Sequence, residues 1–346
     1  MPQHTPKVSP ASKTFDVVAL SALCVDIQSA VPDAELARHK LVKGLSNPVS
    51  PETVHAIQLA DDALKTPGSP GGNVVGGIAL RGGKAALIGK IGTDSHGVFL
   101  TQRLQKHDVA FTPVVAGDGT ATSSVLVLTT PDKERSFAFS NGAGLKLAPE
   151  DIDENLIKQA KITYLDSYLW LSDSGQDAVH HAAALAKRYD SKVAMALNDK
   201  ALVGKHRERY LALAEAHADI LVGDGKEFMA LFNTQTIEET LDKLVQGGFT
   251  AALTVGAKGA YVIENGTVAH VPAKKVENII DTNGAGDQFA AGFLYGLAQG
   301  KSAADSGAIG AAWASDIIQH RGAEPRIGKN ALPANDTAKR LRPPAA

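Results

Sequence analysis

The chain has 346 residues, 44% of them hydrophobic, and a formal net charge of −2, enough apolar material for a large α/β unit. Its charges are interleaved, which excludes the basic face of a nucleic-acid binder, and a single cysteine, Cys24, excludes an intrachain disulfide and fits a reducing compartment. No run approaches the ~20 apolar residues of a membrane span, and Met1 to Lys13 lacks the apolar core of a signal peptide, so a cytoplasmic protein without a membrane partner is expected.

In chain order, residues 1–14 and 332–346 are rich in Pro, Ala and charge and read as loose tails flanking one unit over 15–331. Phe15 to Leu20 is a nearly continuous apolar run, as in strands covered on both faces. Cys24 sits in an apolar stretch and reads as a buried structural thiol. Ser50-Pro51 is a helix start. Gly68 to Gly83 holds seven glycines, more than one turn needs. Ala85 to Ile88 reads as a strand and Val98 to Lys106 as a helix. Phe111 to Phe139 alternates short β-favouring runs with turn residues, a small antiparallel sheet outside the main body.

The second half alternates strand and helix, which argues for a parallel sheet with helices on both faces. Its strands are Ile162 to Leu165, Val193 to Leu197, Ile220 to Val222 and Ala251 to Val255, followed by a hairpin around Asn265-Gly266. Val276 to Ile280 is strand-like. Helices at Gly286 to Gly300 and Ala303 to His320 close the chain.

The chemistry concentrates in Asp281-Thr282-Asn283-Gly284-Ala285-Gly286-Asp287. An apolar stretch runs into two closely spaced glycines and then a helix with an apolar face. Such glycines let backbone N–H groups point outward at a helix N-terminus and form an anion site. A carboxylate at its mouth can accept a hydroxyl proton while the amides stabilise a transferring phosphoryl group. The plainer alternative is a turn with a capping aspartate. A Walker-type phosphate loop, a dinucleotide fingerprint and an H-E-x-x-H zinc pair are all absent from the sequence, so a nicotinamide-dependent dehydrogenase fails for want of its motif.

This segment closely resembles the D-T-x-G-A-G-D signature of the ribokinase/PfkB carbohydrate kinases, and the similarity extends from Phe15 to Gly328. In detail it looks most like the bacterial adenosine kinase and sugar kinase branch, with Lys84 to Gly92, Tyr164 to Trp170 and Ala291 to Leu297 fitting it as scaffold. The resemblance implies a three-layer α/β/α sandwich with a mostly parallel sheet and a small β-sheet lid within about 24–30 and 111–139. It implies Asp287 as catalytic base and Gly284, Ala285 and Gly286 as the anion hole. Asp281 and the backbone of Asn283 match positions holding a monovalent cation, usually potassium, although the family often has Thr at 283. Asp26 and Asn73 match residues that grip acceptor hydroxyls, and Gly68 opens the family's glycine-rich signature, whose second glycine is Ser69 here.

On the nucleotide side, Asp224 and Glu227 resemble the N-x-x-E segment that supports magnesium and phosphate through water, with Asp in place of Asn. Thr254, Gly256 and Gly259 resemble the loop that approaches ATP, and Gly322-Ala323 another near nucleotide and cation. The implied reaction moves the γ-phosphoryl of MgATP to a primary hydroxyl of a nucleoside or sugar, adenosine favoured, with ribose or another sugar as alternative. From another class, the departures at Ser69, Asp224 and Asn283 motivate a non-catalytic nucleotide- or sugar-binding sensor. Lid edges in this family invite pairing between subunits, which implies a homodimer.

Overall fold

The computed structural model describes residues 13–326. The expected tails lie outside the described residues, apart from Lys13 and Thr14. Lys13 is tied down, its Nζ donating to the carbonyls of Lys158 and Tyr189 at 3.3 and 2.6 Å.

The apolar runs assemble into one nine-stranded sheet. Its order is Thr267–Val271, Ala260–Glu264, Thr250–Thr254, Ile220–Asp224, Lys192–Ala196, Ala160–Leu165, Phe15–Leu20, Ala85–Ile88 and Ala110–Phe111. The pairings from Thr250–Thr254 to Ala110–Phe111 are all parallel, and the two strands beyond Thr250–Thr254 run antiparallel. The period-two geometry of a strand sends alternate residues to opposite faces. Val17 and Ala19 accordingly join the core beneath the helices Pro70–Leu80, Ala285–Ala298 and Ala303–Ile317, while Val18 and Leu20 join the core beneath Asp173–Arg188 and Arg207–His217. Both faces are covered, the three-layer arrangement expected from near-continuous apolar strands.

The chain leaves Phe15–Leu20 toward one edge through Ala85–Ile88 and later fills the other side from Ala160–Leu165 outward. The strand order therefore reverses between Phe15–Leu20 and Ala160–Leu165. In sheets of this type the carboxyl ends beside such a reversal open into a crevice.

A second sheet of five strands stands over that crevice, in the order Ser46–Pro48, Arg135–Ser140, Ser123–Thr129, Cys24–Ala30, Leu64–Gly68. It is larger than the sequence reading expected. Ser46–Pro48 and Leu64–Gly68 are short and proline-bearing, so they carry little strand propensity of their own and are held by their neighbours. It is not wholly antiparallel, because Cys24–Ala30 pairs in parallel with Ser123–Thr129. Ala110–Phe111 belongs to the large sheet, and Val114–Val115 pairs with Lys90–Ile91.

One expected element is missing. Val276 to Ile280 forms no strand. The amides of Ile280 and Asp281 donate to the carbonyl of Ile318 instead of to a ladder, and Ile279 and Ile280 are exposed. Among the described residues no helix is long and apolar enough to cross a membrane.

Candidate active site

A cleft of about 1220 Å³ opens at the carboxyl ends of the central strands, between them and the smaller sheet. The helix Ala285–Ala298 starts at its floor. Gly284 precedes the helix with φ +77°, the left-handed region that glycine occupies without steric cost. A Cβ there would also lie 2.9 Å from Ala323. The loop before the helix thus packs directly on the C-terminal loop, and only glycine fits. Gly284, Gly286 and Asp287 line the cleft, whereas Ala285 does not.

Asp287 lies in the first turn of this helix. Its Oδ2 accepts from Asn73 Nδ2 at 2.8 Å. Burial, with help from Asp166 and Asp26, pushes its carboxyl up to about 7, against the Asn73 hydrogen bond that pulls it down. A carboxylate poised near neutrality with one protein donor suits a general base. Asn73 comes from the first turn of Pro70–Leu80 and is buried. Its Oδ1 is buried at the cleft with no partner among the described residues, an acceptor open to a ligand hydroxyl.

The smaller sheet faces the cleft with alternate residues: Cys24, Asp26 and Gln28 from one strand, Ser123, Val125 and Val127 from the next, then Phe137 and Phe139. Asp26 is pushed up to about 6 by burial. Gly68 does not line the cleft. It stands behind Asp26, where a Cβ would come within 2.6 Å of both Asp26 Oδ1 and Cys24 Sγ, so it makes room for the carboxylate. Cys24 is a cleft residue and not the core thiol expected. Its Sγ is 3.8 Å from Asp26 Oδ1, and burial with the neighbouring acids raises its pKa well above the ordinary value, which keeps it a thiol.

Ser69 takes φ +93°, a conformation natural for the glycine that the resemblance places here. Its hydroxyl partly offsets the strain by accepting from Gly72 N at 3.2 Å as the cap of Pro70–Leu80.

On the opposite wall, Asp224 caps the helix Gly225–Phe232. Its Oδ1 accepts from the amides of Lys226 and Glu227 at 2.7 and 2.9 Å, while Glu227 Oε2 accepts from Asp224 N at 2.8 Å. This reciprocal capping box explains why an aspartate is stable where the resemblance expects asparagine. Glu227 is buried, and its carboxyl is pushed up to about 7 by that burial. Asp224, Glu227, Thr254 and Gly256 all line the cleft. Gly259 does not. Its φ is +97° and a Cβ would lie 2.1 Å from the Val271 carbonyl, so the hairpin approach requires glycine. Asn283 lines the cleft and Asp281 does not. Asp281 instead accepts from the amides of Asn283 and Gly322, both at 3.0 Å, tying the loop before the helix to the C-terminal loop.

Sequence reading missed Asp166, which follows Ala160–Leu165. It is fully buried and accepts from Ser21 Oγ at 2.5 Å, Ala22 N at 3.3 Å, Tyr168 N at 2.9 Å and Asn198 Nδ2 at 3.2 Å. Ser21 Oγ in turn accepts from Gly71 N at 3.2 Å. The cluster pins the tips of two strands to the start of Pro70–Leu80. A polar residue closing the apolar run ITYLD was its one signal in the sequence.

A three-layer α/β sheet with a glycine loop at a helix N-terminus, a buried carboxylate beside it and a β-sheet roof defines a small-molecule phosphotransferase of ribokinase-like fold. Residues 47–328 match the pfkB family carbohydrate kinase, and the chain belongs to that family, whose members are ATP-dependent kinases acting on sugars. A 5-dehydro-2-deoxygluconokinase of Bacillus subtilis is 27% identical over 321 residues, covering 88% of this chain and 90% of that protein. Among solved structures, a "probable sugar kinase protein" of Rhizobium etli superposes with a TM-score of 0.84 at 30% identity, covering 95% of this chain and 100% of that one. An adenosine kinase of Sinorhizobium meliloti gives 0.82 at 29% identity, covering 94% and 99%.

Proposed function

We propose that the protein transfers the γ-phosphoryl of MgATP to a primary hydroxyl of a neutral polyhydroxy acceptor, with adenosine as the favoured substrate. The observation that carries this reading is the chemistry of the acceptor half. It offers Asp26, Gln28, Asn73, Ser123 and Ser124 to hydroxyls and an apolar patch of Val125, Phe137 and Phe139 to a flat ring. The one basic side chain among the described residues lining the cleft is Lys205, at the end of the short helix Lys200–Lys205 that packs on Gly225–Phe232. That is the nucleotide side. A sugar acid, the type of substrate named for the Bacillus relative, would bring its charge beside Asp26 with no cation to neutralise it. A nucleoside can present ribose hydroxyls to Asp26 and Asn73 and its base to the phenylalanines.

In the reaction the acceptor oxygen attacks the γ-phosphorus, its proton passes to Asp287, the new O–P bond forms and the bond to the β-phosphate oxygen breaks to release ADP. The amides of Gly284 and Gly286, which line the cleft, stabilise the charge on the transferring group, while the amide of Ala285 donates to the Thr282 carbonyl at 3.2 Å. The Asp199, Asp224 and Glu227 carboxylates on the nucleotide wall suit a hard, hydrated cation. Among the described residues no three metal-ligating side chains cluster, which fits magnesium held mainly by phosphates and water. Bound there, magnesium supplies charge neutralisation for the phosphates. Asp281 and Asn283 remain the proposed monovalent-cation position, and replacing choline by potassium at constant ionic strength is expected to raise turnover. A homodimer paired through the smaller sheet would use its Ser46–Pro48 edge, beside exposed Val42 and Leu45; sedimentation of wild type against Leu45→Lys tests it.

The test of the substrate class is ADP release from MgATP across adenosine, other nucleosides, ribose, fructose and 5-dehydro-2-deoxygluconate. Turnover highest with adenosine supports the reading. Turnover confined to the sugar acid overturns it, and silence with retained ATP binding supports a sensor.

A further inference from the structure

Behind Asp287 runs a buried polar chain that the reaction itself does not use. Asn73 is held twice by consecutive residues of the helix Ala285–Ala298. Its Nδ2 donates to Asp287 Oδ2 at 2.8 Å, and its backbone carbonyl accepts from Gln288 Nε2 at 2.9 Å. Gln288 Oε1 accepts from Arg81 Nη1 at 3.2 Å. Arg81 Nη2 pairs with Asp316 Oδ2 at 3.0 Å and reaches the Arg326 carbonyl at 3.3 Å. The guanidinium lies over Trp313, 4.6 Å from the ring centroid. Gln288 is fully buried, and Arg81 and Asp316 nearly so.

The direction of this chain is fixed by donor chemistry. Arginine can only donate, so Gln288 must turn its oxygen to Arg81 and its N–H₂ to the Asn73 carbonyl. Room for the amide comes from Gly77, where a Cβ would lie 2.4 Å from Gln288 Oε1. Burying an amide, a guanidinium and a carboxylate costs desolvation, which their mutual hydrogen bonds must offset. Here that arrangement sits one residue from Asp287 and grips the backbone of Asn73, its one side-chain donor among the described residues.

We propose that Gln288 and Arg81 are positioning residues which hold Asn73, and through it Asp287, in the geometry for proton removal from the acceptor. This rests on Asp287 being the base. Without the Gln288–Asn73 bond, the backbone at Asn73 loses its tie to the helix Ala285–Ala298, and the first turn of Pro70–Leu80 can shift and carry the Asn73 amide away from the Asp287 carboxylate.

The experiment is a double-mutant cycle read in kcat. Gln288→Met keeps size and removes both amide functions. It is expected to lower kcat about 10-fold, a modest displacement of a reacting group, with KM for MgATP unchanged. Made in an Asn73→Ala background, the same substitution is expected to cost nothing further in kcat, because the side chain it positions is gone. Any loss of melting temperature appears in both backgrounds. An equal kcat loss in both backgrounds, or none in either, overturns the proposal as a purely structural contact. Should Gln288→Met fail to fold, Arg81→Lys, which keeps a cation for Asp316 but withdraws the planar donor, is read on the same cycle with the same two outcomes. Asp287→Asn measured alongside separates the failures. If that variant keeps wild-type turnover, the base assignment falls and this proposal with it. If it is inactive while the cycle is additive, only this proposal falls.

Discussion

Asp166 and Asp287 are both buried acids near the cleft, and both carboxyls are raised by burial, to about 6 and about 7. Their surroundings differ in one respect. Asp166 accepts four hydrogen bonds and is sealed from the cleft. Asp287 accepts one side-chain bond, from Asn73, and lines the cleft. A saturated buried acid is a fastener. An undersupplied one, open on the ligand side, can take a proton. A raised pKa alone does not distinguish the two; the count of donors and the open side do.

That contrast can be broken at either end. The largest effect is expected at Asp287: Asp287→Asn should fold normally and lose on the order of 10²-fold or more in kcat, the size of a general-base contribution. Circular dichroism with steady-state kinetics checks it, and a folded variant with near-native turnover removes Asp287 from the mechanism. Asp166→Ala should do the reverse, lowering stability by about 3 kcal/mol or more because Ser21, the amides of Ala22 and Tyr168, and Asn198 lose a shared buried acceptor. Urea unfolding reads this directly, and an unchanged midpoint would deny the fastener.

A smaller effect concerns pH. Asp26 and Asp166 are raised from 3.8 to about 6, Asp287 from 3.8 and Glu227 from 4.5 to about 7. The folded protein then holds protons that the unfolded chain has released, so stability falls as pH rises from about 4 to about 7 and levels above. Unfolding of the ligand-free protein across that window should show the decline, and Asp287→Asn should make it shallower. A stability that climbs with pH through the window contradicts the burial of these acids. The smallest effect is at the rim: Ser69→Gly should stabilise by about 1 kcal/mol by relieving the positive φ, less a few tenths for the lost cap.

The two ends also differed in legibility. Asp287 could be read from the sequence because its function needs a contiguous local pattern, glycines followed by a helix, and the Asn265-Gly266 hairpin was legible for the same reason. Asp166 draws its partners from residues 21, 22, 168 and 198, so beyond a polar residue closing an apolar run little local marks it. The Arg81–Gln288 contact joins residues 207 apart and is invisible for the same cause. Asp26 and Asn73 came through the family resemblance; of the others carried over with them, Gly68 makes room for the Asp26 carboxylate and Gly259 is required by the close approach of the hairpin. Phe137 and Phe139 follow from strand alternation once the sheet is known to roof the cleft. Val276 to Ile280 misled because its β-branched run promised a strand that has no neighbour to pair with.

The most direct test of the contrast is the pH dependence of kcat/KM for the acceptor in wild type and in Asp287→Asn. With Asp287 as the proton acceptor, wild type should lose activity on the acid side with a midpoint near the value of about 7 reached by that carboxyl, and the residual activity of the variant should lack that limb. An acid limb that persists unchanged in Asp287→Asn would place the essential base elsewhere in the cleft and contradict the account.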